Sequence, residues 1–407
     1  MKTSSESRQS PVWQDPTAVA LLLAATLVIM SNATISPALP GLEALFASEP
    51  NAGLLTRLLV PAPSLAVLLA APFAGFAADR FGRRLLLIGG LTLFVLTGPA
   101  GLFLSDLTSI LASRLALGVS VAMIMTAQTA LVGDCFTGER RTQLMGLQVS
   151  ARNFGGMAFI ALAGLLAGIE PRLPFAIYGL AILYLPFIWR GVRDIPNHAA
   201  IPESAVEIAA GAGEGRWLWP MPGLAGLQVV TAMIFFLNPT QVPFYAVTLG
   251  YDGARTTGLY LAVLMCSGGL AALLHGRIKR RIGDPGGYAA GFGLLAIGFG
   301  TLPAGGDFGL LLAAGGLIGA GYAIVTPIFI AIALQLAPAW RRGLAGGIMT
   351  SSMFLGQFAS PFASMPAIAV FGYEAVFYAT AIGFAAMALV AGLAMVLRPL
   401  PDRTRPA

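Results

Sequence analysis

Charge is what this chain has least of. Only 10% of its 407 residues are Asp, Glu, Lys or Arg, against about a quarter in soluble domains. That scarcity, with 57% hydrophobic residues and a mean hydropathy of +0.80, excludes a soluble enzyme or a nucleic-acid-binding protein and describes a polytopic membrane protein. Cysteine is nearly absent: Cys135 and Cys266 lie in or beside apolar segments, which argues against a structural disulfide. The two histidines, His198 and His275, lie outside the expected spans. No carboxylate falls at mid-membrane, because all 18 acidic residues lie in tails, loops or span ends. Without a convergent acid, base or metal set at depth, an intramembrane hydrolase or acyltransferase has nothing to work with, so no metal, cofactor or catalytic residue is expected.

Long apolar runs are abundant. They recur at 18–42, 58–77, 85–104, 110–133, 143–168, 173–190, 219–248, 256–274, 286–303, 308–336, 343–367 and 375–397, and each is long enough to cross a bilayer as a helix. The unbroken runs lack the period-two alternation of β-barrel strands. The fold class expected is therefore all-α integral membrane, with twelve transmembrane helices in two pseudo-symmetric six-helix bundles. The expected organisation is an N-terminal tail at 1–17, a first bundle at 18–190, a linker at 191–216, a second bundle at 217–397 and a C-terminal tail at 398–407. The first 16 residues are polar and carry no cleavable apolar leader.

Basic residues orient such a chain. With an even number of spans, one side receives Lys2, Arg8, Arg80, Arg83, Arg84, Arg140, Arg141, Arg190, Arg193, Arg216, Arg277, Lys279, Arg280, Arg281, Arg341, Arg342, Arg398, Arg403 and Arg405. The other receives only Arg57, Arg172 and Arg255. Both termini are expected in the cytoplasm, and the protein in the cytoplasmic (inner) membrane. Arg114 and Arg152 remain inside spans.

The halves look alike. A shift of 201 residues lays Arg140-Arg141 on Arg341-Arg342, Gly146 on Gly347 and the 152–156 segment on 353–357; a shift of 197 lays Arg80–Arg84 on Arg277–Arg281. Duplicated bundles place a binding site between repeats in many carriers. On the second shift Gly276 stands where Asp79 would fall, so the acidic device at 79 is expected in one half only.

That device is Gly75-Phe76-Ala77-Ala78-Asp79-Arg80-Phe81-Gly82-Arg83-Arg84. An acid ending a helix is disfavoured by the dipole and needs a partner. A plain stop-transfer cluster would explain the arginines, but neither Asp79 nor the two glycines. Here the chain resembles the major facilitator superfamily, whose signature between helices two and three has this pattern. The resemblance implies an alternating-access transporter in which Gly75, Asp79, Arg80, Gly82, Arg83 and Arg84 form a conformational latch.

Further residues follow. Arg114 and Gly118 share a face of span four that continues to Gln128. An intramembrane arginine needs a partner or a wet cavity, with snorkelling as the structural alternative. The resemblance adds that Arg-x-x-x-Gly in helix four marks proton-coupled members. Arg152 lies too deep to snorkel easily, with Gln148 one turn before it; the alternative is a structural arginine bonded to carbonyls. The family's antiporters carry a Gly-Pro pair in helix five, whereas this segment reads Gly155-Gly156-Met157-Ala158-Phe159. Asn32, Gln148, Asn153, Asn238, Gln241, Tyr245, Tyr322, Thr326 and Gln357 are the expected cavity lining, or else glue between helices. Spans three, six, nine and twelve are nearly free of polar residues, as the family's outer helices are.

The chain resembles most the twelve-span efflux branch, with its sugar-efflux-like and drug:proton antiporter members. Residues Gly356-Gln357-Phe358-Ala359-Ser360-Pro361 add to the helix-two/three motif and Arg114 in that respect. The expected function is secondary transport of a small organic solute, as an exporter of a neutral or anionic amphiphile with protons as candidate co-substrate; an importer or uniporter is the alternative. The expected partners are the solute and the lipid bilayer, not nucleic acid, and the expected state is a monomer.

Overall fold

A computed structural model describes residues 12–192, 219–304, 306–338 and 341–397. Most of the linker expected at 191–216, the C-terminal tail and all but the end of the N-terminal tail lie outside these residues. The chain divides into two compact units, Met1–Ile201 and Pro202–Ala407.

In hydrocarbon no water compensates a bare peptide group, so each span closes its own backbone bonds as a helix. The first unit contains α1 (Pro16–Leu45), α2 (Ala62–Phe81), α3 (Arg83–Leu102), α4 (Leu107–Cys135), α5 (Gly138–Ala167) and the shorter α6 (Phe175–Gly191). The second opens with α7 (Met221–Thr240, extended by Val242–Thr248). Next comes the apolar run Gly253–Ala304, which folds over at Gly283 (φ 67°) into α8 (253–282) and α9 (284–304). After α10 (Phe308–Leu336), the run Arg342–Leu397 folds over at Gly372 (φ 79°) into α11 (342–371) and α12 (373–397). Among the described residues, twelve apolar helices result. Large apolar side chains such as Phe73, Phe103 and Val370 are exposed, which suits a lipid-facing surface and not an aqueous one.

Carboxylates start several helices. Asp15, Asp106, Asp252 and Asp307 accept backbone N–H bonds of 2.7–3.1 Å from the first turns of α1, α4, α8 and α10, where the dipole favours negative charge. The Ser109 N–H holds the Asp106 carboxyl below its usual range. In α7, Pro239 has no N–H for the carbonyl of Phe235. The Asn238 amide, which donates to that oxygen at 2.6 Å, takes its place.

The duplication extends deep into the packing, and at one shift. Gly82 (φ 89°) and Gly283 (φ 67°), 201 apart, make the α2–α3 and α8–α9 turns; Asp106 and Asp307 are equivalent caps. A Cβ on Gly118 would stand 2.4 Å from the Pro63 carbonyl oxygen, and one on Gly319 2.0 Å from that of Leu264. A Cβ on Gly90 would press on Ser120 O and Ile124, and one on Gly291 on Gly321 O and Val325. Every one of these pairs is separated by 201. The shift of 197 is thereby corrected: four basic residues at 277–281 match the arginines of 80–84 in composition but not in place.

Overpacking of a tight helix crossing costs about 1–3 kcal/mol. Gly118→Ala and Gly319→Ala are expected to lower the unfolding midpoint in detergent, whereas Gly383→Ala, with nothing within 4 Å of its added Cβ, leaves it unchanged. Equal midpoints for all three would refute the crossings.

Candidate functional site

At the α2–α3 turn, Asp79 ends one helix and Arg83 begins the next, each at the dipole end that disfavours its charge. Arg83 answers both problems by lying 3.7 Å from Asp79 and 3.3 Å from Asp134 at the end of α4. The pairing of Arg83 with Asp134 was not foreseen from sequence, where Asp134 stood only with Asp79, Glu43 and His275 as a candidate proton carrier. With its side chain 77% exposed, Asp79 forms the weaker half of this pairing. Arg84 donates to the Trp189 carbonyl at 2.9 Å and lies over that indole, while Arg80 lies 6.0 Å from the Phe81 ring. Gly82 supplies the positive φ, and Gly75 leaves open space beside its helix. Arg140 reaches Asp15 at 3.5 Å, joining the start of α5 to that of α1.

The second unit carries its own charge pair, which corrects the one-sided expectation. At the true shift Asp79 corresponds to Arg280 and Arg83 to Asp284, so the acid and the base exchange sides of the turn glycine. Lys279 pairs with Asp284 across Gly283 at 3.0 Å.

Arg114 is fully buried. It does not snorkel: it donates to the carbonyl of Leu59 at 3.3 Å, to that of Ser31 and to the Tyr178 hydroxyl at 2.9 Å, with its guanidinium 4.7 Å from the Tyr178 ring. One side chain thus ties α4 to α1, α6 and the segment entering α2. Its counterpart at the 201 shift is Gly315. A Cβ there would meet the Tyr260 ring at 2.8 Å, and Tyr260 is the counterpart of Leu59. The large side chain has moved across the interface, and Tyr260 donates to Asn238 Oδ1 at 2.5 Å.

Gln128, buried at the other end of the α4 stripe, donates to the Leu21 carbonyl at 2.9 Å. On α5, Asn153 bonds back to Val149 O; Gln148 is buried and Arg152 half-buried. Asn32 accepts from Ser31 at 3.2 Å. Gly155 abuts Thr26 of α1, so at that glycine the close neighbour is a helix.

In the second unit Asn238, Gln241 and Tyr245 are buried and bonded within the unit, Gln241 to Ser364 at 2.9 Å and Tyr245 to Leu302 O at 3.3 Å. They hold α7 to α8, α11 and the end of α9. Tyr322 stacks on Phe235 at 3.6 Å, and Thr326 bonds to Tyr322 O; Gln357 is buried. Among the residues that sequence reasoning missed, Tyr260 alone left a signal, as the large partner of Gly315 once the 201 shift is applied.

Twelve apolar helices in two units that repeat at one shift, charge pairs at equivalent turns and polar side chains buried within each unit are the build of a multi-pass membrane protein of two-bundle design. The sequence profile of the Major Facilitator Superfamily matches residues 21–289 and 268–407. The chain belongs to that superfamily, a family of transporters and not of enzymes. A putative multidrug resistance protein MdtD of Cronobacter sakazakii is 26% identical over 89% of this chain and 68% of its own length. Multidrug resistance protein 2 of Bacillus subtilis is 37% identical, but over only 29% of each chain, and the quinolone resistance protein NorA of Staphylococcus aureus is 29% identical over 32% of this chain and 34% of its own. Two solved structures share the fold: a D-xylose-proton symporter (TM-score 0.78, 17% identity, 96% and 99% of the two chains) and the inward-open xylose transporter XylE of E. coli (TM-score 0.71, 16% identity, 97% and 98%).

Arg114→Lys cannot serve both carbonyls and Tyr178 from one ammonium, so a loss on the order of 2 kcal/mol is expected in thermal unfolding; a wild-type midpoint would refute the tie. Because Asp134 lies nearer to Arg83 and is less exposed than Asp79, Asp134→Asn should reduce solute flux more than Asp79→Asn, with insertion unchanged. The reverse order in a vesicle flux assay would return the main role to Asp79.

Proposed function

We propose that the protein is a secondary active exporter of a neutral or anionic amphiphile, working by alternating access with protons as the coupling ion. One observation carries the charge preference: among the described residues, the charged side chains inside the spans rather than at their ends are Arg114, toward one end of α4, and Arg152, at the middle of α5, both cationic. A lipophilic cation would meet uncompensated positive charge there and no carboxylate, which costs several kcal/mol in a low-dielectric interior. The multidrug resistance proteins among its relatives support efflux. The Gly75–Arg84 motif supports a latch that steadies one access state, with Arg114, Gly118, Gln128 and Arg152 as the candidate coupling or substrate group.

In this reading the six-helix bundles occupy 18–190 and 217–397, joined by the linker 191–216. Nineteen of the 24 basic residues lie on the side of the termini, which supports cytoplasmic ends in the inner membrane. The protein works as a monomer, each chain carrying both bundles.

Cells expressing the protein should accumulate several-fold less of a carboxylated dye such as carboxyfluorescein than cells without it, and a protonophore should abolish the difference. Greater accumulation on expression would make it an importer. A difference that survives the protonophore would remove the coupling, and selective depletion of ethidium would overturn the charge preference.

A further inference from the structure

We infer that Arg152 and Gln148 form the head-group subsite for a carboxylate or sulfonate, so that the transported amphiphile is an organic anion. This deepens the transporter reading above and rests on it. The two arginines within the spans differ in how they are satisfied. Arg114 donates from Nε and one terminal nitrogen to two carbonyls and a tyrosine, and only its other terminal nitrogen is left without a partner. Arg152 makes no hydrogen bond and no ion pair among the described residues, and its Nε is buried without a partner. One turn earlier on the same face, Gln148 is 8% exposed, and its Nε2 is also buried without a partner.

Two neighbouring groups therefore present donors to an acceptor that the first unit does not supply. A guanidinium only donates, in a planar fork that matches two oxygens of one anion. An amide N–H beside it adds a third donor, and a neutral acceptor would leave the buried charge unanswered. Depth separates this chemistry from that of a lipid phosphate. Arg152 is at the middle of the 30-residue α5, about 20 Å from either end at 1.5 Å per residue, whereas lipid phosphates lie at the bilayer surfaces. The occupant is a solute anion.

The purified protein is heated in detergent with 2-naphthoate, 2-naphthamide or 2-naphthyltrimethylammonium, which share one apolar body. Only 2-naphthoate should raise the midpoint, since a ligand stabilises the state it binds. Arg152→Met should weaken that binding at least about tenfold, the scale of one charged hydrogen bond, and Gln148→Leu several-fold. Without ligand, Arg152→Met should unfold at or above the wild-type midpoint, because a half-buried charge with no partner among the described residues is removed. The subsite is overturned by a lower ligand-free midpoint in Arg152→Met, by a naphthoate shift that persists in that variant, by equal shifts from the amide or the cation, or by no shift from any probe. Failure of the transport reading looks different: naphthoate binds and depends on Arg152, yet proteoliposomes holding the wild-type protein do not exchange it.

Discussion

A polar group inside a bilayer has no water to fall back on, and the architecture depends on that constraint. It makes every span a helix, and it governs each exception. Where Pro239 opens the ladder of α7, Asn238 closes it. Where Arg114 brings a charge into the first unit, three elements converge on it. Other buried side-chain atoms in the spans lack such an answer, hydroxyls of Thr257, Tyr288 and Ser360 among them. Arg152 and Gln148 are conspicuous among them because their unmet groups are donors side by side.

Close helix approach is the second constraint, and it is met by glycine at equivalent places in both units. Gly118 and Gly319 bring a helix against a neighbouring carbonyl, and Gly90 and Gly291 do the same one helix further on. Packing without a hydrophobic drive between helices relies on such contacts. Side-chain identity varies freely between the units, as the exchange of Leu59–Arg114 for Tyr260–Gly315 illustrates, while the backbone crossings keep their register.

Much of the fold was legible because span length, loop charge and turn glycines are local properties of the chain. The motif at Asp79 was legible for the same reason: its parts lie within ten residues. Partners that come from distant helices were not. Nothing near Arg114 points to Tyr178, sixty-four residues away, nor near Arg83 to Asp134. The charge pair of the second unit was obscured by composition. A cluster of Arg and Lys at 277–281 aligns with the arginines at 80–84, and the positive φ of Gly283, at the same shift of 201 as the helix crossings, identifies the true turn. Polar residues on α7 read equally well as lining or glue; their bonds within the unit decide for glue at Asn238, Gln241 and Tyr245.

The two turn clasps are inverted in burial as well as in order. In the first unit the acid is the exposed partner and the arginine is covered, with side chains 77% and 20% exposed; in the second, Lys279 reaches out at 41% while Asp284 is covered at 18%. Membrane surfaces rich in phosphatidylserine or phosphatidylglycerol attract a nearby basic side chain by about 1 kcal/mol, which rivals the strength of an exposed ion pair. If both turns face such a surface, it competes for Lys279 and repels Asp79, which loosens one clasp and presses the other shut. Leaflet composition would then act on the two repeats in opposite directions, because the acid stands before the turn glycine in one unit and after it in the other.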